Sequence, residues 1–152
     1  MGADLYMNQR YKSRLQKMKP EIDKSLEKLG DLTKGTIKYH REEENYFILL
    51  NKLQEKIYYR DAYNHESIAW ALGLSWWNDV YPLLDEENKL SIYKTKKLIM
   101  MINSKNIEVS HELLEHYFSM EDARSFLDTK RNLLLSFLYT SIETGEEIYC
   151  SL

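Results

Sequence analysis

The chain has 152 residues, 43% of them hydrophobic, which excludes a wholly disordered chain and indicates a single helical domain over residues 1–152. Charge is unevenly placed, since residues 1–60 carry 13 basic and 9 acidic side chains and residues 61–152 carry 8 and 15. This pattern is typical of solvated helix faces or of a surface that steers a charged partner, and the acidic balance with no nucleic-acid-binding motif argues against nucleic acid.

Two long helices are predicted in the first part of the chain. One helical stripe of apolar residues consists of Tyr11, Leu15, Met18, Ile22, Leu26 and Leu29. Gly30 is a natural stop for this helix, and Pro20 should kink it or split it in two. A second helix is predicted from about Thr36 to Tyr59.

Shorter helices are predicted further along, followed by a long one. The residues expected to begin the shorter helices are Asn64, Ser75, Ser91 and Ser110. Gly73 and Pro82 should end the first two. The last helix runs from about Glu121 to Glu143 and ends at Gly145, and its strongly apolar sequence predicts a place near the centre of a helical bundle.

The two chain ends follow a different pattern. Apolar residues alternate with other residues at both ends, namely Ala3, Leu5 and Met7, and Ile148, Cys150 and Leu152. Alternation is typical of strands, and we expect the ends to pair as a short two-stranded ribbon supported by helices. The predicted fold is therefore all-α, a bundle of about six helices with this ribbon, and more than about half of the residues should be helical.

The expected location is the cytoplasm. Cys150 is the only cysteine, so an internal disulfide bond is excluded and a reducing compartment fits. The N-terminus lacks the pattern of a signal peptide, and no apolar run has the length of a membrane span.

Two segments resemble metal-binding motifs but lack their spacing. His111 and His116 are five residues apart, about 140° around a helix, whereas a zinc-binding helix needs histidines four residues apart. The acidic loop from Asp85 has Leu90 where a calcium loop needs glycine, and Lys96 where it needs a bidentate acid. We expect no metal and no other cofactor.

The segment from Tyr58 to Tyr81 holds all three tryptophans of the chain and interleaves them with polar side chains. One interpretation is that these residues fill the core and shape turns. The other is a binding surface, because Trp, Tyr and Arg are enriched at binding hot spots. Its candidate residues are Tyr59, Arg60, Asp61, Asn64, His65, Trp76, Trp77 and Asp79.

Three fragments resemble a group of small uncharacterised bacterial and phage proteins. They are Met1–Tyr6, Tyr59–Asn64 together with Gly73–Val80, and Cys150–Leu152. The resemblance covers both ends and the middle of the chain. It implies a bacterial or phage origin and brings no activity, ligand or catalytic residue.

The candidate residues of the segment Tyr58–Tyr81 predict a non-enzymatic protein-binding module with an unidentified protein partner. Such a module would act as an inhibitor or as an accessory or regulatory subunit. The alternative is a protein that binds a small anionic ligand such as a nucleotide, with Arg60 on the phosphate and Trp76 or Trp77 on the base. A third hypothesis is an enzyme in which Asp61 and His65 share a proton. A deep pocket beside Arg60 would favour the ligand, and a flat exposed aromatic patch the protein partner. Neither a membrane nor nucleic acid is an expected partner.

Overall fold

The structure is a computed structural model that describes residues 2–152. These residues divide into two compact units, one made of residues 2–7 and 56–152 and the other of residues 8–55. The single domain predicted over residues 1–152 stays a prediction, and Met1 lies outside the described residues. As predicted, more than half of the residues, 63%, are helical.

The smaller unit consists of two helices, α1 (Asn8–Asp31) and α2 (Ile37–Gln54). Thr36 begins α2, because its hydroxyl accepts a hydrogen bond from the backbone N–H of Tyr39 over 3.3 Å. The core of the unit contains Ile22, Leu49 and Leu53, with Tyr11, Leu15, Met18 and Tyr46 packed against it.

The structure refines the predicted first helix in two details. Helix α1 continues through Pro20 as one element, so Pro20 does not split it in two, and the alternative of a kink stays a prediction. Pro20 lies on the exposed side, where water can bind the carbonyl that the missing N–H leaves free. Leu26, which belongs to the predicted apolar stripe, is exposed.

The larger unit contains a four-stranded antiparallel sheet, which corrects the all-α prediction to a mixed α/β fold. The strands are β1 (Gly2–Tyr6), β2 (Tyr58–Ala62), β3 (Lys89–Leu90) and β4 (Ile148–Ser151). Their order is β2-β1-β4-β3. The two chain ends do pair, as β1 with β4, but they form the middle of this sheet rather than an isolated ribbon.

The sheet has one buried face and one partly exposed face. The buried positions are Ala3, Leu5, Tyr59, Asp61, Leu90, Ile148 and Cys150. The intervening residues, including Asp4, Tyr6, Tyr58, Arg60, Tyr149 and Ser151, point to the opposite face, since side chains alternate along a strand. We call this second face the outer face.

Helices cover the buried side of the sheet and fill the rest of the larger unit. They are α3 (Ile68–Ala71), a π-helical turn (Trp76–Val80), a 3₁₀ turn (Tyr81–Leu83), α4 (Ile92–Asn103), α5 (His111–Leu114) and α6 (Met120–Thr144). The predicted caps Ser75, Ser91 and Ser110 are confirmed. Helix α3, in contrast, begins at Ser67 rather than Asn64.

Helix α6 passes through the core of this unit, as its apolar sequence predicted. Leu134, Phe137 and Leu138 are buried, whereas Leu133 is exposed. Gly145 ends the helix in the left-handed conformation, with φ of 69°. No helix within residues 2–152 is long and apolar enough to cross a membrane.

Candidate binding site

Asp61 is the centre of a buried hydrogen-bond cluster, although it is charged. Strand β2 directs its fully buried side chain under the sheet, toward the start of α3. Five groups donate to its carboxylate, namely the Ser67 hydroxyl (2.7 Å), the backbone N–H groups of Ile68 (3.0 Å) and Ala69 (3.2 Å), the Trp76 indole (2.8 Å) and the Lys130 ammonium (2.9 Å).

This cluster gives Asp61 and Trp76 a structural part. A carboxylate has about four lone-pair sites, so five donors saturate it. Trp76 is buried and its only polar group is used by Asp61. Lys130 neutralises the buried charge and also donates to the carbonyl of Glu66 over 2.5 Å. The core interpretation therefore holds for these two residues.

Arg60 lies on the outer face, on the other side of β2 from Asp61. Half of its side chain is exposed, and its guanidinium forms an ion pair with Asp4 on β1 (3.3 Å). The hydroxyl of Tyr58 donates to the same carboxylate of Asp4. Partial burial and this hydrogen bond raise the pKa of Tyr58 to about 12.

Tyr59 points into the core between these two outward residues. Its ring is buried, and its hydroxyl has no hydrogen-bond partner within residues 2–152. Burial and the nearby Asp61 charge raise the pKa of Tyr59 far above its ordinary value. Tyr59 is therefore a core residue rather than part of an accessible site.

Asn64 and His65 occupy the connection after β2. The side-chain oxygen of Asn64 accepts the backbone N–H of Glu66 over 2.9 Å, which shapes the turn. The His65 ring stacks on His116, with centroids 5.0 Å apart, and its Nδ1 lies 3.7 Å from the Glu112 carboxylate. His65 thus faces α5 and its following turn, while Asp61 faces α3 and α6.

Asp79 has a local role in the π-helical turn. Its carboxylate accepts the backbone N–H of Ser75 over 2.8 Å, while the Ser75 hydroxyl accepts the N–H of Asn78 over 3.2 Å. This reciprocal arrangement satisfies two N–H groups at the start of the turn, as a capping box does. The turn fixes where Trp77 points.

Trp77 belongs to an open cleft at the β3–β4 side of the sheet. Its indole is 51% exposed and packs against the half-exposed Tyr81 ring, with centroids 5.7 Å apart. The cleft has a volume of about 310 Å³ and is lined by Trp77, Tyr81, Leu84, Asn88, Tyr149, Cys150, Ser151 and Leu152. Burial raises the pKa of the Cys150 thiol to about 12, so the thiol is held neutral.

The outer face extends from this cleft as a row of aromatic rings. Strand register places Tyr58 opposite Tyr6 and Tyr6 opposite Tyr149, and the last two rings lie 4.9 Å apart. We call Tyr6, Tyr58, Tyr149, Trp77 and Tyr81 together the aromatic surface. None of its four tyrosines, Tyr6, Tyr58, Tyr81 and Tyr149, was among the predicted site residues. Tyr6 and Tyr149 do lie within the two chain ends whose alternating pattern predicted strands.

The predicted site residues therefore separate into three groups. Asp61 and Trp76 meet through a hydrogen bond inside the core, with Tyr59 also buried. Arg60 and Trp77 are exposed, and Arg60 is not among the residues that line the Trp77 cleft. Asn64, His65 and Asp79 shape or flank the connecting turns.

Metal-ligand geometry and comparison with known proteins add nothing to this site. In the part of the chain that the structure describes, no three His, Cys, Asp or Glu side chains are arranged to hold a metal ion. No protein-family model, curated protein or solved structure matches the chain. The resemblance to bacterial and phage proteins and the expected lack of a cofactor stay predictions.

Proposed function

We propose that this protein is a non-enzymatic protein-binding module, and that its aromatic surface receives an apolar side chain of an extended segment of a protein partner. The observation that carries the proposal is the half-exposed Trp77–Tyr81 pair at the wall of an open cleft. Tryptophan and tyrosine cover much area for little loss of side-chain entropy, and they dominate binding energy at interfaces.

A protein partner fits this surface better than a small anionic ligand does. None of the residues lining the cleft is basic. Arg60, the residue first expected to bind a phosphate, already pairs with Asp4. Asp4 on β1 lies opposite Arg60 on β2 and opposite Ser151 on β4. The backbone of Arg60 is therefore two strand spacings, about 10 Å, from Ser151 at the cleft. A protein footprint of about 800 Å² spans that distance and makes Arg60 a rim residue.

Binding is also better supported than acid–base catalysis by Asp61 and His65. The Asp61 carboxylate is saturated by five donors, and the His65 ring lies against His116 and Glu112. Neither arrangement directs the two side chains toward a common proton. The cytoplasm is the inferred location, since the buried Cys150 thiol needs no oxidising compartment.

Site-specific photo-crosslinking tests this proposal with a matched control inside the chain. A photoreactive phenylalanine replaces Trp77 in one variant and Trp70 in another, because Trp70 is similarly exposed, at 54%, but lies on α3 outside the cleft. The covalent product is identified by mass spectrometry after crosslinking in cells. The same partner is then purified and its affinity measured for the wild type, Trp77→Ala and Trp70→Ala.

The expected result is a partner crosslinked from position 77 and not from position 70. Trp77→Ala should weaken its binding about 30-fold, which corresponds to about 2 kcal/mol for a hot-spot residue. Arg60→Ala should weaken it by less than about tenfold, as rim charges do. Equal effects of Trp77→Ala and Trp70→Ala would contradict the proposal. Quenching of Trp77 fluorescence by a nucleotide, together with loss of that quenching in Arg60→Ala, would support the alternative instead.

A further inference from the structure

Two adjacent segments of the larger unit have opposite charge. Residues 88–107 contain no acidic residue and the basic residues Lys89, Lys94, Lys96, Lys97 and Lys105. Residues 108–122 contain no lysine or arginine and the acidic residues Glu108, Glu112, Glu115, Glu121 and Asp122. Solubility requires charged side chains on the surface, but it does not require basic and acidic residues to be separated into two adjacent blocks.

The basic block presents its side chains on the exposed side of α4. Tyr93, Lys96, Lys97 and Met100 recur at helical spacing and form one exposed stripe, opposite the buried Leu98, Ile99 and Ile102. Met100 is 71% exposed, and the Lys97 ammonium lies over the Tyr93 ring at 5.1 Å. We call Tyr93, Lys94, Lys96, Lys97, Met100 and Lys105 the basic patch.

Within residues 2–152, none of the ion pairs involves Lys94, Lys96, Lys97 or Lys105, the lysines of the basic patch. Their charges therefore remain available to a partner. Two large apolar side chains, Tyr93 and Met100, lie among them and gain nothing from water.

The acidic block has the complementary composition. All five of its acidic residues are exposed, and so are Phe118, completely, and Met120. In the part of the chain that the structure describes, Glu112 is the only one of the five with an ionic contact, which it makes with His65 at 3.7 Å. Arg124, the next basic residue along the chain, donates to the carbonyl of Ile107 over 3.3 Å. We call the five acidic residues with Phe118 and Met120 the acidic patch.

We propose that the basic patch binds the acidic patch of a second copy of this chain. The charges are opposite, and each patch supplies two exposed apolar side chains that can exclude water from the contact. A polyanion such as nucleic acid would satisfy the lysines but would leave Met100 without an apolar partner. The contact joins two different patches, so it is heterologous. It involves no residue of the aromatic surface and is independent of the function proposed above.

Sedimentation velocity of the full chain and of two charge-reversal variants tests the contact. Lys96→Glu with Lys97→Glu breaks the basic patch and leaves the acidic patch intact. Glu108→Lys with Glu115→Lys does the reverse. The wild type should self-associate at about 50 mM salt and dissociate at about 500 mM, because salt screens the opposing charges. Each variant alone should associate at least about tenfold more weakly.

Mixing the two variants gives the decisive measurement. One variant keeps the acidic patch and the other keeps the basic patch, so the mixture should associate at least about tenfold more strongly than either variant does alone. The matched controls are Lys12→Glu with Lys17→Glu, and Glu27→Lys with Glu44→Lys, which change the net charge equally at exposed positions of the smaller unit. These controls should associate like the wild type.

Several outcomes would overturn the proposal. They are a wild type that stays monomeric at low salt, variants that associate as the wild type does, and control variants that are weakened equally. A mixture of the two variants that associates no more strongly than either variant alone would also overturn it. A monomeric wild type whose basic patch instead binds a duplex oligonucleotide would assign the patch to a different occupant.

Discussion

Asp61 and Trp76 lie inside the protein and bond to each other, whereas their sequence neighbours Arg60 and Trp77 lie on its surface. The Asp61 carboxylate is saturated by donors, one of which is the Trp76 indole, and this cluster holds β2, α3 and α6 together. The second pair contributes little to the core, since Arg60 forms an ion pair with a partly exposed carboxylate and Trp77 packs on a half-exposed ring.

This difference places the stabilising residues and the proposed binding residues on opposite faces of the same two segments. A strand alternates its side chains, so consecutive residues of β2 serve opposite faces. The capped turn at Ser75 does the same for the consecutive tryptophans. Substitutions on the inner side should therefore unfold the protein, and substitutions on the outer side should leave it folded and change only what it binds.

The largest expected effect is that of Asp61→Ala. It leaves the Lys130 charge, the Trp76 indole and the backbone N–H groups of α3 without their acceptor, which should lower the free energy of unfolding by about 3–5 kcal/mol. Asp4→Asn is the control on the outer face and should cost less than about 1 kcal/mol. Urea denaturation measures both, and equal losses would break the comparison between the two faces.

Trp76→Ala and Trp77→Ala sharpen the comparison with the same change at consecutive positions. Trp76→Ala removes a buried indole and should cost about 3–5 kcal/mol, because it opens a cavity and frees a lone-pair site of Asp61. Trp77→Ala should cost less than about 1 kcal/mol. Similar shifts of the two urea midpoints would show that Trp77 is a core residue.

Gly2→Ala tests how closely β1 approaches β2. A side-chain carbon at position 2 would overlap the Asp61 carbonyl, so the two strands must separate. Gly2→Ala should therefore lower the free energy of unfolding by about 1–3 kcal/mol. Gly30→Ala is the opposite case, since no atom of residues 2–152 other than the adjacent backbone of α1 lies within contact distance of a side-chain carbon at that position. It should raise the free energy of unfolding by about 0.5–1 kcal/mol. Thermal unfolding followed by circular dichroism measures both changes. A harmless Gly2→Ala would mean that the strands are not held this tightly.

Cys150 on the inner face should make stability depend on alkaline pH. Its thiol has a pKa of about 12 in the folded protein against 9.0 when exposed, so the thiol is neutral in both states at pH well below 9. Above that pH the unfolded chain loses the proton first, which favours unfolding. From about pH 8 to about pH 10 the wild type should lose about 1.4 kcal/mol more than Cys150→Ala does. Parallel pH profiles would contradict this.

The smallest effects compare two adjacent tyrosine hydroxyls. The Tyr59 hydroxyl is buried and has no hydrogen-bond partner among residues 2–152, so Tyr59→Phe should leave the free energy of unfolding unchanged or raise it by less than about 0.5 kcal/mol. The Tyr58 hydroxyl donates to Asp4, so Tyr58→Phe should cost about 1 kcal/mol. Urea titrations of the two variants check the difference, and a larger loss at Tyr59 would reveal a missing partner.

Local signals in the sequence predicted most helix starts, but the helix predicted to run to about Tyr59 ends at Gln54. Caps such as Ser75 and Ser91 act within three residues, and the stripes of α1, α4 and α6 repeat often enough to be recognised. Strand β2 was missed because Asp61, a charged residue, occupies an inward position and hides the alternation of Tyr59 with its neighbours. Strand β3 has only two residues, which carry no periodic pattern.

The candidate site was predictable as a segment but not as a surface. Composition identified Tyr58–Tyr81, yet nothing local distinguishes Trp76 from Trp77, or Asp61 from Arg60. That distinction depends on Lys130, which donates to Asp61 from a distant helix. The same holds for Tyr6 and Tyr149, which join the aromatic surface only because strands from both chain ends pair.

The position of β1 in the middle of the sheet has a consequence for biosynthesis. A ribosome makes β1 before the other three strands, and β2 can pair with one edge of β1 once α1 and α2 have been made. The other edge, where Leu5 faces Cys150, has no neighbour until β4 emerges. During translation the nascent chain therefore carries an open strand edge with apolar side chains, a state prone to aggregation and a natural target for chaperones.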